Sequence, residues 1–212
     1  RRRSRQGQIL RMPTPIAISL SIRVQMTKQQ RLVLVISILA SFVGALDGFI
    51  VNVALPAISA DLGGGLAVQQ WVVDAYLLTL GSFILIAGSL SDLFGRKRVL
   101  SFGLLGFGAA SLLCAAAPNG TFLIIARGLQ GVAGALLVPS SLAMIMSSFS
   151  GPVQSKAIGT WTAWFSIAAV TGPLLGGLII ASASWRWIFA INIAPIVVTL
   201  WLMRGIAQQK HP

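Results

Sequence analysis

Two side chains of opposite charge stand inside apolar sequence. Asp47 follows Leu46 in a run that continues through Gly48, Phe49, Ile50 and Val51, and Arg127 follows Leu123-Ile124-Ile125-Ala126. An ionised Asp at the centre of a membrane helix costs about 2.5–3.5 kcal/mol on insertion scales. Such residues face a bundle interior or a water cavity and mark ion paths. Asp47 can carry a proton, and Arg127 needs an acceptor. If the two come from neighbouring helices, a proton arriving on Asp47 changes its pairing with Arg127 and biases the protein between two arrangements. A purely structural ion pair is the alternative reading. Asn52 lies five residues beyond Asp47, about 140° around a helix, so the two need not serve one site. Asp74 falls one turn into its run, where a solvated carboxylate costs little.

The surrounding chain says what must hold these groups. Of 212 residues 56% are hydrophobic and 9% charged, with four Asp and no Glu; mean hydropathy is +0.86. Soluble domains have roughly 25% charged residues, so the composition is that of an all-α integral membrane protein. Six apolar runs are read at 32–54, 70–90, 99–117, 122–147, 157–181 and 187–203, close to the roughly 20 residues that cross a bilayer. The net charge of +12 does not read as a nucleic-acid surface, because most cations lie in short gaps between apolar runs. Leaving residues 1–30 aside, Arg31, Arg96, Lys97, Arg98, Lys156, Arg204 and Lys210 fall on one side and only Arg186 on the other. The positive-inside rule then places both termini in the cytoplasm of a cell membrane. Residues 1–30 read as a basic, disordered segment, with Met26 as a candidate natural start, and 205–212 as a cytoplasmic tail or truncation point. Trp71, Tyr76, Trp185 and Trp187 fall near run ends on the outer side and read as interfacial anchors. The lone Cys114 excludes an intrachain disulfide. One terminal His, one Cys and no Glu leave little for an intramembrane enzyme, and no phosphate-binding loop is present. No cofactor or metal is expected.

The sharpest turn is Gly88-Ser89-Leu90-Ser91-Asp92-Leu93-Phe94-Gly95-Arg96-Lys97-Arg98-Val99-Leu100. Gly95 allows the reversal, Asp92 can pair with a nearby Arg, and three cations hold the turn to one side of the membrane. The spacing G-x-L-x-D-x-x-G-R-K-x-x-L resembles the loop between helices 2 and 3 of major facilitator superfamily transporters, with Leu93 where that family usually carries Arg. The segment from Leu46 to Pro56 resembles the first-helix signature of the drug:proton antiporter branch. Arg127-Gly128-Leu129-Gln130-Gly131 resembles its fourth-helix R-x-x-Q-G motif, whose Arg is associated with proton coupling. Ala168 through Gly172-Pro173-Leu174-Leu175-Gly176-Gly177 resembles the antiporter motif G-x-x-x-G-P-x-x-G-G, with Ala168 in place of the first Gly. Trp185-Arg186-Trp187 and the residues to Pro195, Asn192 among them, resemble a segment of the fourteen-helix exporters and read as an anchor and helix start, not a substrate site.

The resemblance covers about 31–204. It implies the N-terminal six-helix half of a transporter that uses the proton gradient to export drugs or other small amphipathic molecules. Asp47 and Arg127 would couple protons, Gly88, Asp92, Gly95, Arg96, Lys97 and Arg98 would form a cytoplasmic gating loop, and Gly172, Pro173, Gly176 and Gly177 would set direction. The implied partners are the lipid bilayer, a small-molecule substrate and a C-terminal half of the same transporter. A proton-coupled symporter of a small nutrient and a transport-incompetent interaction fragment remain open at this point.

Overall fold

In the computed structural model residues 26–205 are described, and they form helices without a strand among them. The readings made for residues 1–25 and for 206–212, Lys210 and His211 included, lie outside the described residues. Helix α1 runs over Lys28–Leu62 and starts four residues before the apolar run. A capping box causes this: Gln30 N donates to Thr27 Oγ1 at 3.1 Å and Thr27 N donates to Gln30 Oε1 at 3.0 Å. The segment assigned to 1–30 therefore ends, among the described residues, at Thr27. At 1.5 Å per residue the 35 residues of α1 span about 50 Å, longer than a hydrocarbon core of about 30 Å. The helix continues through Pro56, beyond the expected end at 54.

Helices α2 (Gly65–Phe94) and α3 (Arg96–Ala115) meet at Gly95, the only residue between them. Its φ of 90° and ψ of 131° lie where L side chains are strained. Gly95→Ala is expected to cost about 1–3 kcal/mol from backbone strain alone, because nothing stands within 4 Å of the added Cβ. Thermal unfolding of the variant in lipid nanodiscs checks this, with Gly88→Ala as the control, since Gly88 is helical and its Cβ also meets nothing.

Two of the six apolar runs are interrupted. The fourth forms α4 (Gly120–Ala135) and α5 (Leu137–Ser148), and the sixth forms α7 (Trp187–Ala190) and α8 (Ile193–Met203). Each interruption lies three or four residues before a proline, Pro139 or Pro195, which removes the N–H that would continue the ladder. The fifth run is one helix, α6 (Gly151–Ser182), kept whole despite Pro173. By length and composition five of these segments can cross a membrane, and Trp187–Met203 adds a shorter apolar one.

α1 is the central helix, packed against α6, α5, α8, α2 and α7, while α2 lies along α4. Two large apolar clusters and a small one of Ala45, Leu46 and Ala168 form the core. One large cluster contains Val43, Phe107, Ala133 and Ile196; the other contains Ile50, Cys114, Ala126 and Phe189. Along α1, α3, α4 and the sixth run alike, buried polar residues fall between the two large clusters, one on each segment and two on α4, and that shared depth is where the site forms.

Candidate functional site

The four positions are Asp47, Ser111, Arg127 with Gln130, and Asn192, all buried. Arg127 Nη1 donates to Asp47 Oδ2 at 2.5 Å and to Gln130 Oε1 at 2.6 Å, and its Nε donates to the Val72 carbonyl at 3.0 Å. Gln130 Nε2 donates to Asp47 Oδ1 at 3.0 Å and to Ser111 Oγ at 2.8 Å. Asn192 Nδ2 donates to the same Asp47 Oδ1 at 2.8 Å and to Ser111 Oγ at 3.3 Å. The carboxylate thus accepts three hydrogen bonds, one of them charge-assisted. The guanidinium lies over the Tyr76 ring, 4.2 Å from its centre, with the Phe189 ring at 5.8 Å. Such a face attracts a cation, more strongly where water is excluded. Asp47 is 0% exposed and Arg127 1%, so the pair has no bulk water to replace a lost bond.

Small residues make the closeness possible. On α4, Gly128 and Gly131 face α2: Thr79 Oγ1 donates to the Gly128 carbonyl at 2.8 Å, and a Cβ on Gly131 would run into Thr79 Oγ1 and the Tyr76 carbonyl. This seam carries Tyr76 under Arg127. On α6, Ala168, Gly172 and Gly176 recur every four residues as a buried stripe. Gly172 lies against Phe49 and Ile50, and Gly176 against Ile50 and Val53, one turn from Asp47.

Of the expected site residues, the structure brings Asp47 and Arg127 into contact. It separates the glycine motif of α6: Gly172 and Gly176 pack on α1, whereas Pro173 is exposed and a Cβ on Gly177 would meet nothing. The exposed Asp92 and the half-buried Arg96 form a pair at 3.9 Å on either side of Gly95, far along the fold from Asp47. Asn52 is exposed and bonds its own helix at the Gly48 carbonyl, and Asp74 is exposed.

Three readings need correction. Asn192, placed in an anchor segment, enters the site, because the break between α7 and α8 sets its side chain against α1. Tyr76, read as an interfacial anchor, is 3% exposed and stacks on Arg127. Trp185 is buried too, and its Nε1 donates to Asp61 Oδ2 at 2.9 Å beside Arg186 Nη1 at 2.7 Å. Trp71 and Trp187 are exposed. The sequence reading gives Ser111 no role and Gln130 only a place in the R-x-x-Q-G motif. Each is a polar residue at mid-depth in an otherwise apolar run, the same signal that marks Asp47.

A sequence profile described as Major Facilitator Superfamily matches residues 37–212. The chain belongs to the major facilitator superfamily. Within that superfamily it is 43% identical over 190 residues to the multidrug transporter protein MdtP of Bacillus subtilis (strain 168), covering 87% of this chain and 35% of that protein. It is 43% identical over 166 residues to the puromycin resistance protein pur8 of Streptomyces alboniger, covering 78% and 33%. The chain spans about a third of the length of these curated relatives. Among solved structures, a D-xylose-proton symporter superposes with a TM-score of 0.69 at 16% identity, over 85% of this chain and 49% of that one. A peptide transporter superposes with a TM-score of 0.70 at 15% identity, over 83% and 37%. These likenesses show a superfamily fold, and the half-coverage of the symporter matches an N-terminal half.

Proposed function

We propose that this chain is the N-terminal half of a proton-coupled efflux transporter that exchanges protons for drugs or other small amphipathic molecules across a cell membrane, with both termini cytoplasmic. The observation that carries the reading is the buried Asp47–Arg127 pair, set in a network of neutral amides and closed off by two apolar clusters. A proton on Asp47 cancels one charge of the pair and leaves Arg127 uncompensated in a low dielectric, where a charge difference is worth most. Two packings of the bundle can then differ in energy with protonation, which is what coupling requires. The names of the multidrug transporter and the puromycin resistance protein support export and small amphipathic substrates. Substrate sites in this superfamily lie between two halves. The exposed apolar faces of α2 and α6, with Leu78 and Leu85 on one and Val170 and Leu174 on the other, suit contact with lipid, substrate and a C-terminal half. In this reading Gly88, Asp92, Gly95, Arg96, Lys97 and Arg98 gate the cytoplasmic side, and Gly172, Pro173, Gly176 and Gly177 shape the exporter.

The test is movement of a fluorescent cationic dye in inverted membrane vesicles from cells carrying the gene. Imposing an acid interior should drive dye inward as protons leave, and Asp47→Asn should abolish that uptake. Dye leaving with the protons would mean symport, and no gradient-dependent movement would mean an interaction fragment.

A further inference from the structure

Asp47 Oδ1 accepts from two amides, and neither Gln130 Nε2 nor Asn192 Nδ2 can receive a proton in return. A carboxyl that takes up a proton there needs an acceptor for its new O–H. Gln130 cannot supply one, because its Oε1 is held by Arg127 Nη1 at 2.6 Å and by Cys114 Sγ at 3.6 Å. Turning that amide would also set its N–H groups against the guanidinium. Asn192 differs. Its Oδ1 is fully buried and has no hydrogen-bond partner, an arrangement that buried polar atoms seldom tolerate without a reason.

We propose that Asn192 is a proton-sensing positioning residue: it donates to ionised Asp47 and, when Asp47 takes up a proton, turns about its Cβ–Cγ bond so that Oδ1 accepts the Asp47 O–H. This inference rests on the reading of Asp47 as the proton acceptor. The turn keeps the number of hydrogen bonds at Asn192. Before the turn, Nδ2 donates to Asp47 Oδ1 and Ser111 Oγ while Oδ1 is unpartnered. After it, Oδ1 accepts from the Asp47 carboxyl and can accept from the Ser111 hydroxyl, so two bonds replace two. The NH2 group takes the end where Oδ1 had no partner, and the bond from the Asp47 O–H, which otherwise has no acceptor, offsets the cost of its two unpartnered N–H donors. The proton comes from water, the new bond is Asp47 O–H, and the cluster passes from neutral to a single positive charge on Arg127. The titratable or charged groups facing Asp47 are Arg127 of α4, Tyr76 of α2 and Cys114 of α3; α5, α7 and α8 contain none, and the single charged residue of α6, Lys156, stands near that helix's start. Asn192 lies at the interruption between α7 and α8, so its turn carries the protonation state of α1 into the sixth run.

The test is NMR of the unmodified 212-residue chain in lipid nanodiscs, with 13C-labelled Asp and 15N-labelled Asn. The chain has four Asp and three Asn, and Asn192→Ser and Asp47→Asn samples identify the two signals. The expected result is that Asp47 Cγ titrates, that an Asn192 Nδ2 proton moves upfield with the same midpoint on acidification, and that its through-space contact with the Asp47 side chain is lost. Asp47 titrating while the Asn192 Nδ2 protons stay in place would overturn the proposal and leave the reading of Asp47 intact. An Asp47 Cγ that does not titrate over the pH range in which the chain stays folded would overturn both.

Discussion

Arg127→Leu should destabilise the bundle by about 3–5 kcal/mol, the cost of leaving one member of a buried ion pair without the other. The number follows from what Arg127 holds. Removing it strips Asp47 Oδ2 of its partner, frees Gln130 Oε1, releases the Val72 carbonyl and takes the cation from the Tyr76 face. None of these groups can turn to bulk water, since the site is enclosed by the two apolar clusters. The double variant Asp47→Asn/Arg127→Leu should recover a large part of the loss. It deletes both charges, and a buried pair replaced by neutral groups is often no worse than the original. Reversible unfolding in mixed bicelles, run as a double-mutant cycle, measures the coupling. Additive losses in the cycle would mean that the two side chains do not act as a pair.

Much of this arrangement was legible in the chain because its cost is local. A carboxylate and a guanidinium in apolar sequence must find one another or water, and Asp47 and Arg127 do. Gly172 and Gly176, four residues apart in the sequence, make the close seam of α6 against α1. Asn192 was not legible, because its role depends on where the sixth run is interrupted. The proline that permits the interruption, Pro195, was visible, but the direction it gives the side chain follows from packing against α1 and α3. Tyr76 misled for a similar reason. An amphipathic ring near the end of a run suits an interface, and only the partner helix, with a cation at the right depth, draws it inward. Starting α1 at Lys28 needed no tertiary contact, since the Thr27 and Gln30 pattern was already in the sequence.

The seam between α2 and α4 should be the least forgiving place in the fold. A Cβ on Gly131 would meet Thr79 Oγ1 and the backbone carbonyl of Tyr76, and backbone cannot step aside as a side-chain tip can. Gly131→Ala must therefore push α2 away from α4. Overpacking of this kind typically costs about 1–3 kcal/mol, and a substitution that forces backbone apart belongs at the upper end. Gly48→Ala adds a Cβ with nothing inside 4 Å and replaces glycine within α1, so it should be neutral or slightly stabilising. The displacement at Gly131 has a second consequence. Thr79 Oγ1 bonds the Gly128 carbonyl, and Tyr76 packs under Arg127 from the same stretch of α2. Widening the seam lifts the ring from the guanidinium and slackens the Val72 carbonyl bond, so proton-driven dye uptake should fall even at a temperature where the bundle remains folded. Tyr76→Leu separates the two effects: it removes the ring from Arg127 without adding volume at Gly131. If Gly131→Ala impairs uptake and Tyr76→Leu does not, the seam acts through the spacing of the helices. Loss of uptake in both variants, with the bundle intact in each, assigns the effect to the aromatic face beneath Arg127.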